Sequence, residues 1–159
     1  MAPHQSSLNN WNIRRATSDD LDELVRLRMA FLNELGATNT RLKSAIRTYL
    51  SEHLETKEFI AWLAVAGKTI IATSGLVFVR KPPNASNLTG LEAYVMNMYT
   101  VPTWRRQGIG TELLKFAINY ARQSRAECIR LHEVPGVGIY RAIGFQEVKT
   151  ELVLRLEKL

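Results

Sequence analysis

The segment Arg105-Arg-Gln-Gly-Ile-Gly110 lies between an apolar stretch and the start of a predicted amphipathic helix. The first N–H groups of a helix have no intrahelical acceptor, and they sit at the positive end of the helix dipole. Glycine at positions 108 and 110 removes side chains that would keep a bulky anion away, and Arg105 and Arg106 add positive charge. The segment therefore predicts a cradle for a phosphate or pyrophosphate group. It lacks the Gly-x-x-x-x-Gly-Lys-Ser/Thr pattern of nucleotide-hydrolysing loops, so a metal-bound triphosphate is not expected there.

The residues on either side of this segment indicate a strand, a turn and a helix. Upstream, residues 92–100 (EAYVMNMYT) are rich in β-branched and aromatic side chains, as strands are. Downstream, apolar residues recur at helical spacing from Ile109 through Leu113 and Ala117, with charged and polar residues on the other face. The chain later carries the pattern Tyr140-x-x-x-Gly144-Phe145.

Together these stretches resemble the GNAT superfamily of acyl-CoA-dependent N-acyltransferases. The resemblance spans roughly residues 12–157, and residues 92–145 carry most of its specificity. The matching stretches are NMYTVP at 97–102, WRRQGIG at 104–110, Leu113-Leu114, Leu131-His132 and YRAIGF at 140–145. The resemblance implies an α/β fold with a mixed, mostly antiparallel twisted sheet flanked by helices. It also implies an acetyl-CoA-dependent N-acetyltransferase without a metal.

The resemblance also implies how the cosubstrate is held. In that family the turn holds the coenzyme A pyrophosphate, which here assigns Arg105, Arg106, Gln107, Gly108, Ile109, Gly110 and Thr111. Met98 and Thr100 would lend backbone groups to the acyl and pantetheine portions. Many members carry Asn seven residues before the tyrosine and Ala four residues before it, whereas this chain has Glu133 and Gly136.

Two residues are predicted to handle protons when an acyl group moves from a thioester to an amine. The resemblance places Tyr140 near the thioester sulfur, where its hydroxyl would support the departing thiolate. Glu92 is the candidate base, acting through water, because family members often carry a carboxylate or histidine on this strand face. Glu133 is a rival base. His132 fits a structural strand histidine better than a catalyst.

Strand alternation and the single cysteine complete the predicted chemistry. Alternation would put Glu92, Tyr94, Met96 and Met98 on one strand face, with Asn97 on the other, where its amide would satisfy buried backbone. Cys128 lies in an apolar strand, where a thiol is usually inert, so direct transfer without an acyl-enzyme is expected.

The acceptor-binding residues follow from the resemblance alone. In the family the first helices and the closing strands line the acceptor site, which here suggests Arg28, Phe31 and Glu34. Glu34 could attract a cationic amine. Arg28 could pair with a substrate carboxylate, or it could simply extend from a buried stripe towards water. The acceptor could be a small metabolite, an antibiotic or a peptide or protein amine.

Composition fits one small enzyme domain, at residues 11–159, after a flexible tail at 1–10. Hydrophobic residues make up 46% of the 159 residues and charged residues 23%, which are ordinary globular values. The lone Cys128 and the absence of a membrane-length apolar stretch favour a cytoplasmic protein with no membrane partner. A homodimer is one state in which it could occur. The net charge of +6 is spread over both halves, so a nucleic-acid partner is not expected. A non-catalytic acyl-CoA-binding module on the same scaffold is the alternative function.

The predicted order of elements is strand, two helices, three strands, helix, strand, helix and two closing strands. Thr17 or Ser18 would cap the first helix, which Gly36 would end. Its apolar stripe would be Leu21, Leu24, Val25, Phe31, Leu32 and Leu35, with Arg28 inside the stripe. The other predicted elements are strands at 12–16, 59–66, 69–79, 92–100, 128–132, 145–149 and 151–157, and helices at 40–55, 108–125 and 136–143.

Overall fold

The computed structural model describes residues 10–134 and 136–156. The elements are β1 (Asn12–Arg15), α1 (Leu21–Glu34), α2 (Leu42–His53), β2 (Phe59–Ala66), β3 (Thr69–Arg80), β4 (Leu91–Thr100), α3 (Ile109–Gln123), β5 (Cys128–Arg130) and α4 (Ile139–Ile143). Short 3₁₀ turns at Ser18–Asp20 and Pro102–Trp104 precede α1 and the turn at the start of α3. The predicted fold class is confirmed, whereas the predicted tail at 1–10 lies outside the described residues apart from Asn10.

The five strands form one sheet in the order β1-β2-β3-β4-β5. The first four strands pair antiparallel, and β5 pairs parallel to β4. The parallel step arises because α3 carries the chain from the end of β4 back to its start, as a crossover helix does.

A hydrophobic core lies on each face of the sheet. On one face, α1 and α2 pack residues such as Leu24 and Leu50 onto Phe59 and Leu63 of β2. On the other face, α3 packs its apolar stripe, including Leu113 and Ala117, onto the remaining strand residues. None of the helices in the described ranges is long and apolar enough to cross a membrane.

The inward face of α1 differs from the predicted stripe at two leucines. Leu27, which the prediction omitted, is fully buried, while Leu35 is 49% exposed. Leu27 lies three residues after Leu24 and four before Phe31, so helical spacing places it among them. Leu35 is the C-terminal capping residue of α1, directly after the last helical residue, Glu34.

The two predicted closing strands are wrong for the described part of the segment. Residues 145–156 form no strand, and five apolar side chains there are 62–101% exposed: Val148, Leu152, Val153, Leu154 and Leu156. An alternating pattern specifies a strand only where a neighbouring strand offers backbone partners. Here β5 is only three residues long and pairs with β4 on its inner side.

A bulge interrupts β4 near its end. Thr73 of β3 faces Tyr99 and Gly75 faces Met96, so Asn97 and Met98 together oppose a single residue, Ser74. Asn97 adopts a left-handed backbone conformation, with φ at 56°. The extra residue reverses the alternation, so Met96 packs on the α1–α2 side and Met98 on the α3 side. The prediction that both methionines share one face is therefore wrong.

Two leucine variants test the packing of α1. Leu27→Ala should lower the free energy of unfolding by about 2–5 kcal/mol, because it leaves a cavity in a closed core. Leu35→Ala, the matched control at the exposed helix end, should change it by less than about 0.5 kcal/mol. Denaturant unfolding of both proteins measures the two values. Equal losses would contradict the observed orientation of α1.

Candidate active site

A cavity of about 670 Å³ lies where α1, the end of β4, the start of α3 and α4 converge. It is lined by Phe31, Glu34, Leu35, Thr73, Met98, Tyr99, Thr100, Trp104, Arg105, Arg106, Gly108, Ile109, Gly110, Thr111, Leu113, Val134, Gly136, Val137, Gly138, Ile139 and Tyr140. The cavity brings together most of the residues predicted to bind the cosubstrate, and it joins them to Tyr140. Gln107, Arg28 and Glu92 do not line it.

The cavity exists because β5 leaves β4 early. The parallel pairing runs from Glu92↔Cys128 to Tyr94↔Arg130 and then stops. From residue 95 to residue 100, no strand in the described part of the chain pairs with that edge of β4. Backbone groups on that edge are therefore free of strand partners, as at any unpaired strand edge, although the Thr100 carbonyl accepts a hydrogen bond from Arg105.

The turn at the start of α3 has the geometry of an anion cradle. Arg106 and Gly108 both adopt left-handed conformations, with φ at 63° and 79°. Left-handed residues in such turns direct successive N–H groups into one concavity. The first helical bond of α3 goes from the N–H of Glu112 to the carbonyl of Gly108, which leaves the N–H groups of Ile109, Gly110 and Thr111 without intrahelical acceptors.

The two arginines of the turn have different surroundings. The Arg105 Nη2 donates to both carboxylate oxygens of Glu34, at 2.7 and 2.8 Å, and its Nε donates to the Thr100 carbonyl at 2.8 Å. Arg106 is exposed and forms no ion pair or side-chain hydrogen bond within the described ranges. Arg106 can therefore bind an incoming anion directly, whereas Arg105 would first have to break its ion pair with Glu34.

Glu34 also holds one wall of the cavity together. The Tyr99 hydroxyl donates to its Oε1 at 2.9 Å, and the Arg105 guanidinium lies 5.5 Å from the Tyr99 ring centroid. Hydrogen bonding to Arg105, and secondarily to Tyr99, lowers the pKa of Glu34. This clamp of Glu34, Tyr99 and Arg105 joins the end of α1 to the end of β4, a role that the sequence did not reveal.

The bulge at residues 97–98 lies on the same wall. The Asn97 Oδ1 and the Ser74 Oγ, from opposing positions on β4 and β3, are buried and have no hydrogen-bond partner in the described structure. The sequence predicted that the Asn97 side chain would hydrogen-bond to buried backbone groups. Its Oδ1 accepts no such bond. Unsatisfied buried polar atoms are uncommon and call for an explanation such as a bound water or a functional constraint.

Tyr140 forms the junction between this cavity and a second one. It is 5% exposed, packs edge-on against Phe145 at 6.2 Å, and lines both spaces. The second cavity, of about 540 Å³, lies between β5, α4 and the chain after residue 145. Burial, with a smaller contribution from Glu133, raises the pKa of Tyr140, so its hydroxyl keeps its proton at neutral pH.

The two carboxylates considered as bases are both occupied by cations. Glu92 is 7% exposed and pairs with Lys81 at 2.7 Å and with Arg130 at 3.1 Å. Hydrogen bonds from Lys81 and then Arg130 lower the pKa of Glu92, which makes it a weaker base. Glu133 pairs with Arg141 at 2.8 Å, and that bond lowers its pKa as well.

The remaining candidates lie around the second cavity. His132 is exposed, and its ring stands edge-on to Tyr94 at 5.5 Å. Cys128 is half-buried, and burial, followed by the charge of Glu92, raises the pKa of its thiol. A thiol with a raised pKa is a poor nucleophile at neutral pH, which supports its predicted inertness. The described ranges contain no group of three or more His, Cys, Asp or Glu side chains placed to hold a metal ion.

Comparison with known proteins matches this chain to acetyltransferases in both sequence and structure. A sequence model of the acetyltransferase (GNAT) family matches residues 22–145. An N-alpha-acetyltransferase of Sulfurisphaera tokodaii is 24% identical over 149 residues, covering 87% of this chain and 82% of that protein. A crystal structure of a Clostridium acetobutylicum acetyltransferase with acetyl-CoA has a TM-score of 0.86 at 31% identity, covering 91% of this chain and 96% of that one. A GCN5-related N-acetyltransferase from Ralstonia eutropha has a TM-score of 0.82 at 25% identity, covering 92% and 98%.

Proposed function

The chain belongs to the GNAT acetyltransferase family, and from that premise we propose that it moves an acetyl group from acetyl-CoA directly to an amine. The observation that carries this proposal is the single cavity that joins the N–H turn at the start of α3 to the Tyr140 hydroxyl. The turn suits the pyrophosphate of the cosubstrate, and the tyrosine suits its sulfur.

The residues present fit coenzyme A at the turn. The free N–H groups at the start of α3 and the exposed Arg106 would bind the pyrophosphate, with Gly108 and Gly110 leaving the approach open. Arg105 would position the turn through its bonds to Glu34 and Thr100. Gln107 was predicted to contribute, but it lies outside the cavity lining, and we assign it no contact.

The unpaired edge of β4 would hold the rest of the cosubstrate. Met98 and Thr100 line the cavity, beyond the point where β5 leaves, and their backbone groups would contact the acyl and pantetheine portions. Fixed N–H donors aimed at an oxygen on which negative charge develops lower the barrier to acyl transfer. The bulge at Asn97 supports this role, because it turns the Met98 side chain to the α3 side of the sheet.

When bound, acetyl-CoA supplies the acetyl thioester, whose sulfur departs as a thiolate. The Tyr140 hydroxyl would donate a hydrogen bond or its proton to that sulfur. The raised pKa of Tyr140 keeps this donor protonated over the neutral range.

The amine must lose a proton, and we assign that proton to water in the cavity. The geometry of Glu92 does not support its predicted role, because Lys81 and Arg130 already hold its carboxylate outside the cavity. Glu133 is likewise held by Arg141. On the acceptor side, Phe31 and Glu34 line the cavity and would contact the amine substrate.

The cosubstrate assignment is tested at Gly110. A Cβ there would lie 3.4 Å from the Ile139 Cδ1, an ordinary contact, so Gly110→Ala should bind acetyl-CoA almost normally. Gly110→Leu should weaken binding by about 10-fold or more, because its branched end fills the space between α3 and α4. Isothermal titration of both folded variants measures the affinities. Unchanged affinity in Gly110→Leu would remove the turn from the binding site.

The acid role is tested by Tyr140→Phe. This change keeps the ring against Phe145 and deletes only the hydroxyl, so thermal stability should barely move. The amine-dependent kcat should fall by about 10²–10⁴-fold, the usual range for a positioned proton donor, while acetyl-CoA affinity should stay unchanged. A kcat within twofold of the unmodified protein would leave Tyr140 a packing residue.

Glu92→Gln separates a structural role from a base role. The free energy of unfolding of the variant at pH 7 should be lower by about 1 kcal/mol. The reason is that Lys81 and Arg130, which both reach solvent, no longer have a carboxylate to pair with. The lowered pKa of Glu92 means that its stabilisation is present above the ordinary carboxyl range and is lost as pH falls through the folded-state pKa. The stability gap between variant and parent should therefore close in acid.

The pH–rate profile of Glu92→Gln should keep the parental shape. A rate loss confined to acidic and neutral pH, recovering towards the pKa of the amine, would restore Glu92 as the base.

A further inference from the structure

Arg28 has an unusual environment among the arginines. Over residues 10–134 and 136–156, Arg28 and Arg130 are the half-buried arginines, and the others are exposed. Arg130 pairs with Glu92 at 3.1 Å. Arg28 forms no ion pair and no side-chain hydrogen bond with any described residue. Its positive charge is thus withdrawn from water without a compensating anion.

The position of Arg28 on α1 makes this lack of a partner informative. Arg28 lies four residues after Leu24 and three before Phe31, so it sits on the face that α1 turns towards the sheet. Its guanidinium lies 5.7 Å from the Phe31 ring centroid. The ring can attract the positive charge at this distance, but it gives the N–H groups of the guanidinium no hydrogen-bond acceptor.

The energetics favour an anion from outside the chain. Burial lowers the pKa of Arg28, whereas hydrogen bonds to carboxylates raise the pKa of Arg14, Arg26, Arg130 and Arg141. Arginine nonetheless stays protonated at neutral pH. A half-buried charge without a partner is costly, and a ligand carboxylate, which a guanidinium binds through two parallel hydrogen bonds, would offset that cost.

Phe31 connects Arg28 to the cavity. Arg28 is not part of the cavity wall, but the Phe31 ring is, and it stands 6.3 Å from the Tyr99 ring on the same wall. Beyond Tyr99 lies Glu34, at the acceptor end of the space. A ligand whose anionic group reaches Arg28 therefore extends past Phe31 into the space where an acceptor amine must lie.

We propose that Arg28 binds the carboxylate of the acceptor, so that the acceptor is an amine that also carries a carboxylate, as an amino acid does. The proposal rests on the acyl-transfer function proposed above, because it identifies the substrate class of that same site. Two experiments, one of them independent of turnover, separate the two claims.

The first experiment measures binding without catalysis. N-acetyl derivatives of the twenty amino acids, which represent the product class, are compared with their C-terminal amides by thermal shift. At least one free acid should raise the Tm more than its amide does, and this difference should vanish in Arg28→Met. Arg26→Met is the matched control, because Arg26 lies on the same helix but pairs with Glu23 at 2.7 Å on the surface. Equal shifts for acids and amides would overturn the proposal.

The second experiment measures substrate preference during turnover. The ratio of kcat/KM for the best amino acid to that for its amide should fall by about 10–100-fold in Arg28→Met and stay within twofold in Arg26→Met. Arg28→Lys keeps the positive charge but not the paired N–H donors of the guanidinium, so it should retain part of the preference.

A preference for uncharged or phosphorylated amines in the parent protein would overturn the carboxylate assignment but leave acyl transfer intact. If no amine releases thiol from acetyl-CoA, the proposed function fails, and the thermal shifts still decide whether Arg28 binds carboxylates.

Discussion

Strands β4 and β5 pair through Tyr94↔Arg130 and then separate, and the site depends on this separation. Because β5 leaves, the last residues of β4 present an unpaired edge to a cavity instead of to another strand. The start of α3 lines that cavity, and so does Tyr140 on α4, which also lines the second cavity. If β5 continued along β4, backbone bonds would occupy the edge, and no ligand could use it. The fold therefore leaves part of a sheet unfinished at the place where chemistry is proposed.

Around this opening, carboxylates that form ion pairs lie near arginines that form none. Most carboxylates near it are already paired: Glu34 with Arg105, Glu92 with Lys81 and Arg130, and Glu133 with Arg141. These pairs fix elements relative to one another and leave none of these three carboxylates free to act as a strong base. Arg106, in the turn at the start of α3, and Arg28, beside the Phe31 ring, are two of the arginines that have no ion pair within the described residues. Both of these positive charges suit anionic parts of ligands.

Local patterns predicted the parts of the site that depend on local sequence. The turn of Gly108 and Gly110 and the helix after it follow from spacing within a few residues, and the structure has both. The place of Tyr140 was predicted from the family resemblance, and the structure has Tyr140 in the lining of the same cavity as the turn. The bulge at Asn97 was not predictable, because it depends on how β4 registers with β3, and it reversed the expected face of Met98. The partners of Glu92 and Arg105 come from distant parts of the chain, so sequence reasoning could not pair them. The closing strands failed for a related reason: alternation predicts which side chains face inward, but a strand forms only where a neighbour offers its backbone.

The central claim is that one cavity both binds acetyl-CoA and carries out acetyl transfer to an amine. The most direct measurement follows free thiol released from acetyl-CoA across a panel of amines, with the acetylated product identified by mass. The account predicts thiol release that requires an amine, equals the N-acetyl product in amount and leaves no acetyl group on Cys128. Saturable binding of acetyl-CoA without amine-dependent thiol release from any member of the panel would contradict it and would favour a non-catalytic acyl-CoA-binding role.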